Sequence, residues 1–179
     1  MHIIIDGYNM IRQSDALRRC ERISLEAGRN ALIHRVSIYR KLKGHRMTIV
    51  FDGWGAGPAT EERDRQEGVD IIYSRRNEKA DDVIKRLVEK RQEEMIVVTS
   101  DRGIADFVHR RGGTPIPSPE FEARIDRTIE AVHDTTPCHD VDAKDGEGGE
   151  DPRGGEKRKG PARRLSRKKK AAMAALRKL

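Results

Sequence analysis

The 179-residue chain has two cysteines, no long apolar run, and no histidines or cysteines at metal-binding spacing. Cys20 and Cys138 lie far apart, which favours free thiols in a reducing compartment over a disulfide or a zinc site. Asp6 interrupts the apolar N-terminus, and no segment approaches the roughly 18 apolar residues of a membrane span. We therefore expect a soluble, cytoplasmic protein with no membrane partner.

Two common kinds of catalytic motif are also absent. The sequence has no glycine-rich loop of the P-loop or dinucleotide-binding type, and none of its serines or cysteines lies in a nucleophile motif. Ser100 precedes an aspartate and is interpreted as a hydrogen-bonding turn residue. The sequence therefore predicts no small-molecule cofactor and no covalent catalysis.

The charge is unevenly distributed along the chain. Hydrophobic residues make up only 35% of the sequence, which is low for a chain that packs throughout. Residues 1–133 contain 24 Lys/Arg and 22 Asp/Glu, whereas residues 134–179 contain 13 and 8. We predict a folded domain over residues 1–132, an acidic, glycine-rich disordered linker over 133–156, and a basic tail over 157–179.

The basic tail has helix-forming sequence in its second half and no acidic residue. Basic unstructured segments commonly fold on RNA, so Lys168, Lys169 and Lys170 are candidate RNA contacts. A membrane-surface helix is a weaker alternative because the tail lacks aromatic anchors. A tail that only improves solubility remains the other alternative.

Strand-like and helix-like segments alternate over the first 133 residues. The predicted strands are 2–5, 47–51, 69–74, 95–100 and the short 114–118. The predicted helices are one capped by Ser24, one over 78–94, one over 104–113, and a last one with Ser118 as N-cap and Pro119 as its first residue. This order predicts an α/β fold with a mainly parallel sheet covered on both faces.

Acidic residues directly follow three of the predicted strands. They are Asp6, Asp52 and Asp101. Ligands of open α/β sheets bind at the carboxyl ends of the strands, so these carboxylates are expected at one edge. An aspartate after a strand is also a common turn or cap residue, and this alternative stays open for Asp52, which precedes a glycine. Asp106 is interpreted as a surface residue.

Asp81 and Asp82 lie in the first turn of the predicted helix over 78–94. Successive helical residues advance by about 100°, which places Asp81 roughly 90° and Asp82 roughly 170° from the centre of the apolar face. Asp81 is therefore expected at the border of the core, and Asp82 towards solvent. Clustered carboxylates repel one another, and an oxygen-only site suits Mg²⁺ or Mn²⁺. Asn9 would steady such a site, or a bound phosphate, with its amide.

Further RNA contacts are expected among basic residues around the third predicted strand and beside Asp101, and at one aromatic ring near Asp6. These candidates are Tyr8, Arg63, Arg65, Arg75, Arg76 and Arg102. Phosphate contacts by arginine position nucleic acid, and aromatic rings stack on bases. The alternatives are an ordinary charged surface for the arginines and core packing for the tyrosine.

Four motifs together resemble the NYN-domain family of PIN-like nucleases. They are "IIIDGYN" at 3–9, "FDG" at 51–53, "KADD" at 79–82 and "VTSD" at 98–101. Their order and spacing are most similar to the YacP-like branch, over roughly residues 1–130. The resemblance implies a three-layer α/β/α fold and a metal-dependent, ribosome-associated endoribonuclease.

The resemblance also implies roles for individual residues. Asp6, Asp81 and Asp101 would bind Mg²⁺ or Mn²⁺, Asn9 would be the site asparagine, and Asp82 would match a second acid of the same motif. The partners would be messenger or ribosomal RNA and the ribosome. A non-catalytic RNA- or ribosome-binding module of the same fold is the alternative, and a DNA nuclease is a third reading.

Overall fold

We describe the chain from a computed structural model that covers residues 1–53, 60–90 and 93–133, with residues 171, 172 and 174 near the end. Apart from those last three, the predicted linker and tail beyond residue 133, including Lys168, Lys169 and Lys170, lie outside the described residues. The linker and tail therefore stay predictions.

Strands and helices alternate along the described part of the chain. In chain order they are β1 (His2–Asp6), α1 (Gly7–Gln13), α2 (Asp15–Ile23), α3 (Leu25–Lys43), β2 (Arg46–Phe51), β3 (Glu62–Gln66), β4 (Val69–Tyr73), α4 (Ala80–Glu89), β5 (Met95–Val98), α5 (Arg102–Arg110), β6 (Thr114–Ile116) and α6 (Ser118–His133). The sheet order is β3-β4-β2-β1-β5-β6, and only β3 runs antiparallel to its neighbour. The predicted, mainly parallel α/β sheet is confirmed.

Two apolar cores lie on opposite faces of the sheet. Side chains of α1, α2, α3 and α6 pack on one face, in a core that includes Ile3, Ile5 and Phe51. Side chains of α4 and α5 pack on the other face, in a core that includes Ile4 and Val50. This is the three-layer α/β/α arrangement, and it follows from strands that are apolar on both sides. No described helix has the length and apolarity that a membrane crossing requires.

Three elements, α1, α2 and β3, lie outside those predicted from the sequence. The edge strand β3 reads "ERDRQ" and is almost wholly exposed, so it carries no apolar alternation. Helix α1 starts at Gly7, directly after β1, and glycine is a poor signal for a helix start. Backbone pairing with β4, and packing against the core, outweigh these weak local preferences.

The two predicted serine caps have different outcomes. Ser24 caps α3 as predicted, because its hydroxyl accepts a hydrogen bond from the Ala27 N–H over 2.9 Å. Ser118 is instead the first residue of α6, and the first-turn N–H groups of Glu120 and Phe121 donate to the carbonyl of Pro117. Ser118 therefore has its hydroxyl free for another partner, which lies in the candidate site.

Candidate active site

Asp6 ends β1 at the point where the sheet order reverses between β1 and β5. Its side chain is only 8% exposed. The carboxylate accepts hydrogen bonds from the Asn9 N–H over 3.3 Å and from the Thr99 hydroxyl over 3.1 Å. The pKa of Asp6 is raised to about 6, mainly by burial and in smaller part by the charges of Asp81 and Asp52, while the hydrogen bonds from Asn9 and Thr99 oppose the rise. A buried carboxylate among other carboxylates favours a cation or a proton.

Asp81 lies in the first turn of α4 and is half-buried, whereas Asp82 is exposed. This agrees with the helical-wheel prediction. Burial raises the pKa of Asp81, and the carboxylates of Asp101, Asp52 and Asp82 add to the effect, while the ammonium of Lys85 opposes it. Asp81 is thus the member of the "ADD" motif that faces the other acids.

Asp52 holds the start of α4. Its Oδ1 atom accepts a hydrogen bond from the backbone N–H of Ala80, the first residue of that helix. The residue before the helix, Lys79, makes no side-chain cap, so Asp52 does the work of an N-cap from a neighbouring strand end. This contact fixes the first turn, and therefore Asp81, relative to the sheet.

Asp101 caps α5 and is exposed on its outer side. Its Oδ1 atom accepts a hydrogen bond from the Ile104 N–H over 2.9 Å. Its own N–H donates to the hydroxyl oxygen of Thr99 over 3.1 Å. Thr99 therefore links Asp6 to Asp101, because the same hydroxyl donates to Asp6. The motif "VTSD" therefore supplies both the acid Asp101 and the threonine Thr99, whose hydroxyl accepts a hydrogen bond from the Asp101 N–H.

Asn9 is held through its carbonyl oxygen. Oδ1 accepts hydrogen bonds from the Ser100 N–H over 2.9 Å and from the Ser118 hydroxyl over 2.8 Å. A backbone N–H only donates, so the orientation of the amide is fixed. Among the described residues nothing accepts a hydrogen bond from Nδ2, which leaves two N–H donors for an anion. Asn9 thus suits a phosphate better than a cation.

Two motif glycines allow close backbone approaches at this edge. A Cβ atom on Gly7 would lie 2.4 Å from a ring carbon of Phe51, so α1 could not pack against the end of β2. A Cβ atom on Gly53 would lie 1.8 Å from the carbonyl oxygen of Ser74. The Gly53 N–H instead donates to the Ser74 hydroxyl over 2.9 Å. The glycines after Asp6 and Asp52 therefore allow close packing at the carboxyl ends of β1, β2 and β4.

The carboxylates have the right donor chemistry for Mg²⁺ or Mn²⁺, since they offer only oxygen and carry uncompensated negative charge. Within the described ranges, however, no three Asp, Glu, His or Cys side chains converge into a ready-made metal site. Burial is the main cause of the raised pKa values of Asp6 and Asp81, and repulsion from neighbouring carboxylates adds to it. Coordination would therefore require these side chains to move closer together.

The predicted RNA-contact arginines differ in their surroundings. Arg63 pairs with Glu61 over 2.8 Å and Arg75 pairs with Glu78 over 3.4 Å. Arg76 is exposed and lines a cavity of about 540 Å³ together with Asp82. Arg102 is exposed directly after Asp101.

Two predicted RNA contacts are placed elsewhere by the structure. Tyr8 is 7% exposed and packs in the core against the ring of Phe51, so its ring is closed to a base. Arg65 pairs with Asp70 over 3.7 Å, near the start of β4. It lines a cavity of about 400 Å³ at the sheet edge opposite the acids. Tyr8 and Arg65 therefore do not border the candidate site.

Two site residues were missed in the sequence. Thr99 bridges two of the acids, and its position just before the "SD" pair was an available signal. Ser118 donates to Asn9, but a serine before a proline is also a strong helix-start signal. Ser100 contributes its N–H to Asn9 and its hydroxyl oxygen to the Ser118 N–H, as expected of a hydrogen-bonding turn residue.

The three-layer fold with a mainly parallel sheet is a PIN-like fold, and the candidate acids lie at the carboxyl edge of that sheet. The chain belongs to the YacP-like NYN domain family, whose family model matches residues 3–178. The match therefore extends past residue 130 into the predicted linker and tail, further than the four motifs indicated.

The chain is similar in sequence and in structure to a protein of Bacillus subtilis. A protein of Bacillus subtilis (strain 168) named "Uncharacterized protein YacP" is 31% identical over 87 residues, which are 49% of this chain and 51% of that protein. The match thus spans about half of the relative's length. The crystal structure of Rae1 (YacP) from Bacillus subtilis is similar with a TM-score of 0.60, 23% identity, and coverage of 75% of this chain and 78% of the other. The crystal structure of a tryptophan-to-leucine mutant of the same protein is similar with a TM-score of 0.64 and 24% identity, and the match covers 74% of this chain and 79% of the other.

Proposed function

We propose that the protein is a divalent-metal-dependent endoribonuclease that hydrolyses RNA in association with the ribosome. The observation that carries this proposal is the collection of Asp6, Asp81 and Asp101 from β1, α4 and α5 at one sheet edge, with Asp6 buried and its pKa raised to about 6. Membership of a nuclease-type family supports the hydrolytic chemistry. Ribosome association rests on the resemblance to the YacP-like branch and on the basic tail.

The chemistry would be addition of water to phosphorus and breakage of one phosphodiester P–O bond. Asp6, Asp81 and Asp101 would hold Mg²⁺ or Mn²⁺, with Asp82 in support, and the ion would activate water and neutralise the phosphate charge. Asn9 Nδ2 would donate to a phosphate oxygen. Asp52 keeps Asp81 in place through the start of α4.

The RNA strand would be positioned by arginines beside the acids. Arg76 shares a cavity with Asp82, and Arg102 follows Asp101 at the start of α5. Both are exposed cations without an ion pair in the described part of the chain. Arg63 and Arg75 would exchange their carboxylate partners for phosphates. Phosphate contacts of this kind orient a nucleic acid without reading its sequence.

The test is cleavage of a panel of RNA and single-stranded DNA with Mn²⁺, Mg²⁺ or EDTA. We expect RNA to be cut only with a metal, and Asp6→Asn and Asp81→Asn to be slower by at least roughly a hundredfold, since each ~1.4 kcal/mol of lost transition-state stabilisation is tenfold in rate. Asp15→Asn is the matched control, because the Asp15 side chain is 94% exposed on α2. Cleavage by Asp81→Asn at the wild-type rate would contradict the proposal.

A non-catalytic RNA-binding module is the second candidate. It is favoured by one observation, namely that no three acidic side chains in the described residues form a ready-made metal site. RNA binding without cutting, both free and with translating ribosomes present, would establish it in place of the nuclease.

A further inference from the structure

Arg29 lies at the same sheet edge as the acids, on the opposite face of the sheet. Helix α3 ends at Lys43 and β2 starts at Arg46, so the early turns of α3 lie near the carboxyl end of β2. Arg29 is in the second turn, and its guanidinium carbon is 5.7 Å from the ring centre of Phe51, the last residue of β2. Side chains alternate between the two faces along each strand, so Phe51 points to the face covered by α3, whereas Asp6 and Asp52 point to the face covered by α4.

Three aromatic rings hold the Arg29 guanidinium. Its Cζ atom is 5.4 Å from the ring centres of both Tyr8 and Tyr73 and 5.7 Å from that of Phe51. Its Nε atom donates to the Tyr8 hydroxyl over 2.8 Å, and Nη2 contacts the same oxygen. The Phe51 and Tyr73 rings stack. Contacts within about 6 Å of a ring are favourable cation–π geometry, so the side chain is held in one position.

Arg29 forms no ion pair with a carboxylate of the described residues. Two other half-buried arginines of the domain form ion pairs, Arg35 with Glu122 and Asp126, and Arg86 with Glu61 and Glu78. Among the described residues nothing accepts a hydrogen bond from Nη1 of Arg29. A positioned, half-buried guanidinium without a counter-ion is costly, and phosphate is the ligand that its planar fork matches best.

A second arginine extends the cluster towards solvent. Arg12, in the last turn of α1, is exposed, and its Cζ atom lies 5.8 Å from the centre of the Tyr8 ring. Tyr8 thus contacts two guanidinium groups. Tyr8 lies within the "IIIDGYN" motif, but its ring is buried and its hydroxyl accepts hydrogen bonds from Arg29.

We propose that Arg29, held by Tyr8, Phe51 and Tyr73, with Arg12 beside it, is a binding subsite for an RNA backbone phosphate next to the scissile one. This inference rests on the proposed function. Alternation along the strands places Phe51 and Tyr73 on the α3 side, and Asp6 and Asp52 on the α4 side of one edge. A strand crossing this edge meets the cationic cluster on one side and the acids on the other.

The test is binding of a fluorescent single-stranded RNA by the full chain, in the Asp81→Asn background, at several salt concentrations. Arg29→Met keeps the aliphatic packing and removes the charge. We expect it to weaken binding by about tenfold, as for loss of one charge-assisted contact. The slope of log K against log salt should fall by about 0.7, the value for one phosphate contact on a single strand. A purely structural role would leave that slope unchanged.

Arg110→Met is the matched control. Arg110 is exposed in the last turn of α5, at the opposite edge of the sheet, and has the same charge. Binding by Arg29→Met that matches binding by Arg110→Met, in affinity and salt slope, would overturn the proposal. If Arg29→Met unfolds, the exposed Arg12→Met gives the same comparison, with an expected loss of about threefold and a lower slope; no change there would overturn the subsite.

Cleavage by the wild type is measured alongside, because it separates the two proposals. If the wild type cuts RNA and Arg29→Met binds RNA as the control does, the nuclease proposal is supported and the phosphate subsite is rejected. If the wild type does not cut RNA, but Arg29→Met has a lower RNA affinity and a smaller salt slope, the nuclease proposal is rejected and the phosphate contact is supported.

Discussion

The hydroxyl group of Ser118 donates a hydrogen bond to Oδ1 of Asn9 over 2.8 Å. Together with the Ser100 N–H, it saturates the carbonyl oxygen and turns the amide nitrogen outwards. The start of α6 thereby sets the orientation of Asn9 on α1, although α6 contributes no carboxylate to the candidate site.

Ser118→Ala removes this orientation without removing a proposed ligand. We expect cleavage to fall by about three- to tenfold and the free energy of unfolding by about 1 kcal/mol, the usual value of one hydrogen bond. Ser24→Ala is the control, because it removes a helix-capping hydrogen bond of similar energy on α3, which packs on the opposite face of the sheet from α4 and α5. The role of Ser118 is rejected if both variants cleave like the wild type.

Asp6 makes stability depend on pH. Its pKa is about 6 in the folded chain against 3.8 ordinarily, so the folded state binds more protons between these values and loses stability as pH rises through about 4 to 6. The full shift corresponds to roughly 3 kcal/mol.

Asp6→Asn should flatten this pH dependence. In EDTA, we expect the variant to be more stable than the wild type at pH 7.5 and to differ little from it at pH 4, in urea unfolding. Asp15→Asn should retain the wild-type pH profile. Parallel curves for Asp6→Asn and the wild type would show that Asp6 does not titrate as described.

Bound metal should relieve the repulsion among the acids. Mn²⁺ at 100 times its dissociation constant would stabilise the folded state by about 2.7 kcal/mol, measured as a shift of the thermal midpoint. The shift should shrink as pH falls below about 6, because Asp6 must be deprotonated to coordinate. An equal shift in Asp81→Asn would place the metal elsewhere.

Asp52 can be assigned by comparing two substitutions. Asn keeps an oxygen acceptor for the Ala80 N–H, and Ala does not. If Asp52 only fixes α4, Asp52→Asn should keep most stability and cleavage, while Asp52→Ala should lose about 1–2 kcal/mol of stability. A metal-binding role predicts instead that both variants lose cleavage to a similar extent, so single-turnover rates decide between the roles.

The sequence was most informative where one strong pattern dominated. The apolar strands that precede Asp6 and Asp101, and the helical position of Asp81, were predictable because apolar runs and the 3.6-residue helical period leave few arrangements. Ser118 was not, since the Ser-Pro pair has a strong local meaning as a helix start and its partner Asn9 is far away in sequence. Tyr8 follows the same pattern: its burial depends on Phe51 and Arg29, which only tertiary structure brings near.

The edge strand β3 shows the remaining limit. Its charged sequence has no apolar face, and its place in the sheet is given by pairing with β4 alone. Backbone pairing leaves no trace in hydrophobic periodicity, so neither β3 nor the position of Arg65 could be read from residue types.

The links that complete the site span most of the domain. The Thr99–Asp6 hydrogen bond joins residues 93 apart, and the Ser118–Asn9 bond joins residues 109 apart. Chains are synthesised from the N-terminus, so Asp6 leaves the ribosome long before β5 can pair with β1 and α6 can reach Asn9. A growing chain therefore carries Asp6 without a working centre until β5 and α6 have been synthesised, and a nuclease made this way cannot cut the message from which it is being translated before that point.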